Sequence, residues 1–274
     1  MPELPEVETV AAGLRPHLVG RVIERVDLRF PTIVRHPEPE AFVDGVTGRE
    51  VQALTRRGKY LLFHLTDAYL LVIHLGMTGH LQLFDPEAAF APHVHAALLL
   101  DDGQQLRYRD VRRFGRLLFG TEADLLEHRA VPRLGPEPID DTFTARDLYQ
   151  RLHRRRAPLK ALLLDQAVVA GVGNIYADES CFRARVRPDR PGSSLSRPAV
   201  KRLREALHES LTTAIANRGS SVDSYRDAFG ERGSQQERLL VYGRGGEPCV
   251  TCGRPLASVR MAGRTTVFCR RCQH

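Results

Sequence analysis

The apolar positions near the start of the chain predict one amphipathic helix. In the stretch LPEVETVAAGLRP, Val7, Val10 and Leu14 follow the spacing of a single helical face. Pro5 falls in the predicted first turn, where a proline is tolerated because its missing N–H would have no partner inside the helix. The pattern predicts a helix that ends near Pro16.

From about residue 22 to residue 120, the pattern changes to short apolar runs rich in Val, Leu, Phe and Tyr, such as KYLLFHL and YLLVIHLGM. In HAALLLDDGQQLRYRD, the DDG between two runs predicts a hairpin turn. The regular spacing of the runs favours an antiparallel sandwich or barrel.

Beyond PRLGPEPIDD, a stretch rich in Pro, Gly and acid that is typical of a linker, the spacing becomes helical. The clearest case is LSRPAVKRLREALHESLTTAIANRG, where one face is lined by Leu203, Leu207, Leu211 and Ile215. Ser196 precedes this helix as a predicted cap, and Gly219 follows it as a predicted end.

The charge balance favours an anionic partner. The 274 residues carry a formal charge of +7, which points first to nucleic acid, although a solvated basic surface is the ordinary alternative. No apolar stretch approaches the ~20 residues that a membrane span needs, so we expect no membrane partner and a cytoplasmic location. Only Lys59, Lys160 and Lys201 are lysines among the 40 basic residues, and a lysine among arginines can mark a need for a compact ammonium that can lose its proton.

The cysteines predict a metal site. Four of the five form two Cys-x-x-Cys pairs separated by 16 residues. This spacing suits a tetrahedral thiolate site, and we expect one structural zinc ion. Disulfides are the alternative, which a reducing compartment disfavours. The four ligands would be Cys249, Cys252, Cys269 and Cys272.

The residues between the two cysteine pairs predict a β-hairpin that exposes three arginines to a phosphate backbone: Arg254, Arg260 and Arg264. Further upstream, LLLDQAVVAGVGNIYADESCF predicts two helical segments around a tight turn at Gly171–Asn174. Asn174 is the predicted cap of the second segment, whose first N–H groups could bind an anion, although any helix hairpin could use such a turn.

The segments HLGMTGH and RDVRRFG each end a predicted strand. Met77 and Phe114 could belong to the core, with Arg112 on the surface, as such residues usually do. They could also form a wedge that fills the gap left when a nucleotide is extruded from a duplex.

The first residues, MPELPEVETV, contain a candidate nucleophile. Removal of Met1 would leave Pro2 with a secondary amine, and an α-amino group titrates near ~8, so an unprotonated fraction exists at neutral pH. Glu3 and Glu6 are three residues apart and share a face beside Pro2. Complementarity to the helix dipole is the alternative explanation for these two acids.

Taken together, MPELPEVETV, RRGK, HLGMTG, DVRRFG, GVGNIYADE, VYGRGGEPC and the two cysteine pairs resemble the formamidopyrimidine-DNA glycosylases, bacterial enzymes that remove 8-oxoguanine. The motifs occur in that family's order from end to end of the chain. The related endonuclease VIII type shares the proline start, the helical hairpin and the finger, but begins MPEG and lacks the HLGM and RRFG segments in this form.

The resemblance implies that Pro2 attacks the sugar C1′ of the damaged nucleotide, displaces the base and forms an iminium link. It implies that Glu3 acts as a general acid at the opening sugar ring, and that Glu6 supports the terminus by hydrogen bonding. Lys59 resembles the catalytic-site lysine that contacts the lesion strand near the damaged base. The segment 218–237 lies where the family carries a lesion-binding loop, and its Gly, Ser and charged composition suits a mobile lid.

The resemblance also implies a set of DNA contacts. The residues matched to phosphate contacts are His74, Asn174 and Arg264. The wedge residues are Met77, Arg112 and Phe114, with Arg112 facing the orphaned cytosine. Lys160 is also expected to approach DNA.

We therefore expect an α+β protein with an N-terminal antiparallel β-sandwich and leading helix (1–131), a linker (132–141), a helix-two-turn-helix domain (142–240) and a β-hairpin zinc finger (241–274). The expected function is a bifunctional DNA glycosylase and abasic-site lyase that acts on oxidised purines in double-stranded DNA. We expect it to be monomeric and associated with the nucleoid. The alternatives are an endonuclease VIII-like preference for oxidised pyrimidines, or a noncatalytic protein that binds damage.

Overall fold

The computed structural model describes residues 1–127 and 133–274. The end of the predicted first domain (128–131) and the first residue of the predicted linker lie outside the described residues. The chain divides into two compact units, one formed by Met1–Pro132 with Asn217–Ser234 and the other by Arg133–Ala216 with Gln235–His274. This division follows contacts in space and not order along the chain, so the predicted domain boundaries stay a prediction.

The first unit is a β-sandwich with helices at its margins. Its elements are α1 (Leu4–Leu18), β1 (Ile23–Leu28), β2 (Val34–His36), α2 (Pro39–Val46), β3 (Val51–Arg57), β4 (Tyr60–Leu65), β5 (Tyr69–His74), β6 (Gly79–Phe84), β7 (Val94–Leu100), β8 (Gln105–Asp110), β9 (Arg116–Thr121) and α3 (Glu122–Glu127). One sheet has the strand order β1-β7-β8-β6, and the other has the order β2-β9-β5-β4-β3, in which only the β2–β9 pair is parallel among the pairs described.

Helix α1 extends further than its sequence pattern predicted. It continues through Pro16 and ends at Leu18. Leu14 and Leu18 are both buried in the core of the first unit, so the apolar stripe extends past the proline. The free energy gained by burying Leu18 offsets the loss of one backbone hydrogen bond, which Pro16 cannot donate because it has no N–H.

The segment Asn217–Ser234, here called the returned segment, packs on β6. The Leu83 N–H donates to the Ala228 carbonyl at 3.1 Å, and the Gln82 side-chain amide donates to the Asp227 carbonyl at 3.1 Å. Tyr225 and Ala228 are buried in the core of the first unit. Composition alone indicated a mobile lid, whereas the middle of this segment is anchored by apolar burial and backbone pairing.

The second unit contains four α-helices and one hairpin among its described elements: α4 (Ala145–His153), α5 (Leu159–Leu164), α6 (Asn174–Arg183), α7 (Arg197–Ala216), β10 (Ala257–Met261) and β11 (Arg264–Phe268). On the predicted face of α7, Leu203, Leu207 and Leu211 are buried, as expected, whereas Ile215 near the end of the helix is only half-buried. The antiparallel hairpin predicted between the cysteine pairs is confirmed as β10 and β11. Within the described ranges, we find no helix with both the length and the apolar character needed to cross a bilayer.

Candidate active site and nucleic-acid interface

The amino-terminal turn of α1 is held in place by Glu6. Pro2 and Glu3 are buried, and Glu6 is 1% exposed. One carboxylate oxygen of Glu6 accepts the Glu3 N–H at 2.8 Å, and the other accepts the Ser220 N–H at 2.7 Å. The hydroxyl of Tyr225 donates to the Glu6 carbonyl at 3.2 Å. Glu6 therefore ties the first turn of α1 to the returned segment.

A glycine is needed where the returned segment passes Glu6. Gly219 has φ +76°, a left-handed conformation that L side chains rarely adopt. A Cβ at this position would also lie 3.0 Å from the Glu6 side chain. The sequence pattern placed Gly219 only at a helix end, whereas its backbone conformation also permits the close approach to Glu6 in the first turn of α1.

Lys59 follows Gly58 in the turn between β3 and β4, and it is 6% exposed. Its neighbour Tyr60 pairs across the sheet with His74, and the two rings lie 4.8 Å apart. Burial, together with the charges of Lys59 and Arg116, lowers the pKa of His74 to about 4. His74 is therefore neutral at physiological pH.

A backbone hydrogen bond fixes which nitrogen of the neutral His74 ring carries the proton. Its Nδ1 atom accepts the Gly76 N–H at 3.2 Å. The ring proton then resides on Nε2, because a neutral imidazole has one donor and one acceptor nitrogen. Nε2–H can donate a hydrogen bond to a phosphate oxygen without adding a charge.

The wedge residues lie on two loops that meet backbone to backbone. Met77 follows β5 and is half-buried, while Phe114 lies between β8 and β9 and is 50% exposed. The Arg112 guanidinium lies over the Phe114 ring, 4.8 Å from its centroid. Gly76 has φ +67°, and a Cβ there would lie 2.6 Å from the Gly115 nitrogen. The structure thus brings together two motifs that are more than 30 residues apart in the sequence.

The predicted capping role of Asn174 is wrong. Gly173 occupies the cap position, and Asn174 is the first residue of α6. The Asn174 side-chain amide instead donates to the carbonyl of Thr265 at 3.3 Å. This bond connects the start of α6 to β11, beside Arg264, whose side chain is exposed.

The structure also corrects the expected DNA contact of Lys160. Its side chain is fully buried, with its ammonium 2.7 Å from an Asp178 carboxylate oxygen and 2.9 Å from the Thr265 carbonyl oxygen. The other Asp178 oxygen accepts the Val267 N–H at 3.0 Å. Burial raises the pKa of Asp178 above its usual range, and Lys160 counteracts that rise. Lys160 holds the hairpin in place and does not present its charge to solvent.

Sequence reasoning missed the acids of α6 that hold the finger. Besides Asp178, Glu179 is buried and accepts the N–H groups of Leu240, Val241 and Tyr242 at 2.9 to 3.0 Å. Two adjacent acids inside the otherwise apolar and small-residue stretch NIYADESCF were the available signal, because buried carboxylates need hydrogen-bond donors.

The four-cysteine group fits a zinc ion. Its sulfur atoms all lie within 4.8 Å of one another, and two of the separations are 3.9 and 3.5 Å. Tetrahedral zinc with bonds of about 2.3 Å sets its sulfur ligands about 3.8 Å apart. Cys249, Cys252, Cys269 and Cys272 therefore form the site for one structural zinc ion, with the β10–β11 hairpin between the two pairs.

Three family models match the chain: the formamidopyrimidine-DNA glycosylase N-terminal domain over residues 1–117, the formamidopyrimidine-DNA glycosylase H2TH domain over residues 134–226, and the zinc finger found in FPG and IleRS over residues 246–274. The formamidopyrimidine-DNA glycosylase of Desulfitobacterium hafniense (strain DSM 10664 / DCB-2) is 45% identical over 277 residues, with 100% of both chains covered.

Two solved structures share the fold. The MutM (Fpg) protein from Thermus thermophilus has a TM-score of 0.90 and 44% identity, over 99% of this chain and 98% of that chain. A Lactococcus lactis Fpg mutant in complex with Fapy-dG containing DNA has a TM-score of 0.93 and 35% identity, over 100% of each chain. By sequence and by fold, this chain is an enzyme that belongs to the formamidopyrimidine-DNA glycosylase family.

Proposed function

We propose that this protein excises oxidised purines, 8-oxoguanine and formamidopyrimidines, from double-stranded DNA and then cleaves the strand as an abasic-site lyase. The observation that carries the proposal is the buried first turn of α1, where the Glu6 carboxylate binds both the Glu3 and the Ser220 N–H groups. A reactive terminus needs such an arrangement, because catalysis depends on holding the nucleophile in one geometry. The Lactococcus lactis relative bound to Fapy-dG containing DNA supports a damaged purine as the substrate.

In the proposed reaction, removal of Met1 frees the nitrogen of Pro2. This nitrogen attacks C1′ of the damaged nucleotide as the bond from C1′ to the base breaks; the base leaves with the electron pair of that bond and takes up the proton that the Pro2 nitrogen loses. Glu3 donates a proton to the ring oxygen as the sugar opens, which leaves an iminium ion between Pro2 and C1′. The iminium nitrogen of a secondary amine has no proton to lose, so it stays cationic and acts as an electron sink.

The same iminium drives strand cleavage. Loss of a C2′ proton expels the 3′ phosphate in a β-elimination, and a second, δ-elimination expels the 5′ phosphate. Hydrolysis of the remaining link would then release Pro2 for another turnover.

The DNA contacts that we propose are distributed over both units. In the first unit, His74 offers a neutral Nε2–H donor to a phosphate, Lys59 contacts the lesion strand, and the wedge residues fill the vacated space. In the second unit, Arg264 is exposed and Asn174 lies at the start of α6. Extruding a nucleotide costs a few kcal/mol, which these contacts offset.

Borohydride trapping tests the mechanism. The zinc-loaded protein is incubated with a duplex that carries one 8-oxoguanine opposite cytosine, and the cross-linked peptide is mapped by mass spectrometry. We expect a cross-link at Pro2 with Met1 absent, because borohydride reduces the iminium to a stable amine. Preferred trapping on thymine glycol would indicate an endonuclease VIII-like enzyme. The absence of a cross-link on both 8-oxoguanine and abasic duplexes would favour a noncatalytic damage-binding protein.

Two variants, one at the residue that precedes α1 and one within α1, make this test specific. Glu3→Gln is expected to reduce trapping on the 8-oxoguanine duplex more than on an abasic duplex, because an abasic sugar already interconverts with its open aldehyde form. Glu8→Gln is the matched control, since Glu8 lies in the α1 helix that Glu3 precedes and pairs with Arg56 at 2.8 Å. An equal loss in both variants would contradict the proposed role of Glu3.

A further inference from the structure

Asp110 is a fully buried acid at the end of β8 whose carboxylate binds both wedge loops. Its Oδ1 atom accepts the Thr78 hydroxyl at 2.6 Å and the Arg112 N–H at 3.2 Å. Its Oδ2 atom accepts the Gly115 N–H at 2.8 Å and the Tyr108 hydroxyl at 3.1 Å. One carboxylate therefore connects the loop after β5 to the loop after β8.

The partners of Asp110 lie beside the wedge residues in the sequence. Thr78 immediately follows Met77, and Gly115 immediately follows Phe114. The third wedge residue, Arg112, is bound through its own N–H, which also lies 3.1 Å from the Thr78 hydroxyl oxygen. Asp110 therefore binds Arg112 directly, and it binds the residue that follows each of the other two wedge residues, Met77 and Phe114.

Asp110 is itself fixed to the sheet. Its N–H donates to the His93 carbonyl at 3.0 Å, and its carbonyl oxygen lies 2.7 Å from His95 Nε2. Burial alone would raise the pKa of the Asp110 carboxyl, but its hydrogen bonds from Thr78 and the other donors lower that pKa below its ordinary value. The group is therefore ionised at neutral pH, and hydrogen bonds to a carboxylate are stronger than those to a neutral acceptor.

We propose that Asp110 is a positioning residue for base extrusion. Its carboxylate holds the loops of Met77 and Phe114 in one relative arrangement, so that these side chains enter a duplex together. The proposal rests on the proposed function, because it requires the wedge residues to replace an extruded nucleotide. A shift of about 1 Å in such a constellation can lower a rate by about a hundredfold.

The test compares two substrates under single-turnover conditions. One is a duplex with 8-oxoguanine opposite cytosine, and the other is a duplex with a preformed abasic site, where no damaged base has to be unstacked. We expect Asp110→Asn to lower 8-oxoguanine excision by about tenfold to a hundredfold while abasic-site incision changes little. A milder variant, Thr78→Val, is also expected to lower the ratio of the 8-oxoguanine excision rate to the abasic-site incision rate. This variant supplies the result if Asp110→Asn does not fold.

The chain offers a matched control in the same unit. Asp124 accepts both the N–H and the hydroxyl of Thr121, at 3.1 and 2.7 Å, in an exposed Asp–Thr pair beside β9. Asp124→Asn and Thr121→Val should leave the ratio of the two rates unchanged. An equal loss on both substrates in the Asp110 and Thr78 variants would overturn the proposal and show a general loss of folded enzyme.

A double variant tests whether Asp110 acts through the wedge. In a Phe114→Ala background, the excision defect caused by Asp110→Asn should shrink, because part of the positioned group is already missing. If the rate decrease in the double variant equals the product of the decreases in the two single variants, the proposal is overturned. Failure of the proposed function is distinguishable, since the unsubstituted protein would then neither excise 8-oxoguanine nor incise the abasic duplex.

Discussion

The buried pair between Lys160 and Asp178 permits a quantitative test of what holds the finger to the helices. In Lys160→Met, the Asp178 carboxylate loses its counter-charge at 2.7 Å, and the Thr265 carbonyl loses a donor at 2.9 Å. The methionine fills most of the volume of the lysine stem, so the change removes charge with little loss of packing. Asn174 still donates to Thr265 at 3.3 Å, which limits the damage at that carbonyl.

Breaking a buried ion pair by removing one partner costs about 3–5 kcal/mol, because an uncompensated charge stays behind. Both side chains here are fully buried, so solvent does not screen the loss. Each kcal/mol shifts the melting temperature by about 2–4 °C in a protein of this size class, so we expect a decrease of about 10 °C. Lys160→Met combined with Asp178→Asn should recover much of the loss, because the amide is neutral and its oxygen can still accept from Val267.

The assay is thermal and urea denaturation of the zinc-loaded protein, followed by far-ultraviolet circular dichroism. Lys201→Met is the control, since Lys201 lies in the same unit in an exposed pair, 4.0 Å from Glu205, and such pairs contribute about 0–1 kcal/mol. A Lys160→Met protein as stable as this control would refute the argument. A double variant less stable than the single variant would also refute it, because the loss could not then come from an unpaired charge.

The pH dependence of that loss has a definite sign. Burial raises the pKa of Asp178 above its value in the unfolded chain, and removal of Lys160 raises it further. Folded Lys160→Met protein therefore takes up a proton on Asp178 as the pH falls, and the uncompensated charge disappears. The destabilisation should be larger at pH 8 than at pH 5, and the opposite order would contradict this assignment.

Two further predictions concern protonation and metal. The pKa of His74 is lowered from 6.5 to about 4 in the folded protein, so the unfolded chain binds the proton at a higher pH than the folded chain does. The contribution of His74 to stability is therefore complete above pH 6.5 and declines as the pH falls towards 4. Nuclear magnetic resonance titration should find a neutral ring with its proton on Nε2 at pH 6, and titration at or above 6.5 would contradict the assignment. Removal of zinc by a chelator should release the two cysteine pairs, weaken DNA binding in fluorescence anisotropy and reduce its salt dependence, because Arg264 projects from the hairpin between them; unchanged affinity in the metal-free protein would contradict this.

Local signals in the sequence predicted the elements well. The regularly spaced apolar runs between residues 22 and 120 predicted an antiparallel sandwich or barrel, and the structure has nine strands from Ile23 to Thr121 among the described residues. The DDG turn between β7 and β8 and the β10–β11 hairpin were also predicted correctly, since a short turn joins neighbouring strands whatever else surrounds them. The end of α1 was predicted two residues early, because burial of Leu18 outweighed a proline.

The sequence predicted which residues belong to the candidate site better than it predicted which atoms those residues contact. The cysteine spacing identified the metal ligands, because two residues between cysteines bring both sulfurs to one ion. Asp110 and Glu179 carried no periodic signal, since a buried carboxylate is recognised only by the donors around it. The capping role predicted for Asn174 was wrong and the buried position of Lys160 was not foreseen, because both side chains donate to the carbonyl of Thr265, which is distant in the sequence.

Periodicity, turn chemistry and cysteine spacing are properties of neighbouring residues. By themselves they predicted α1, α7, a strand-rich region, two hairpins and the zinc ligands, but not α2 or α3. The contacts that give the site its shape join residues far apart in the sequence. Glu6 binds Ser220 across 214 positions, and Lys160 binds Thr265 across 105. Only packing decides which distant donor meets a buried acid, because the cost of leaving that acid unpaired is imposed by the neighbours that exclude water from it.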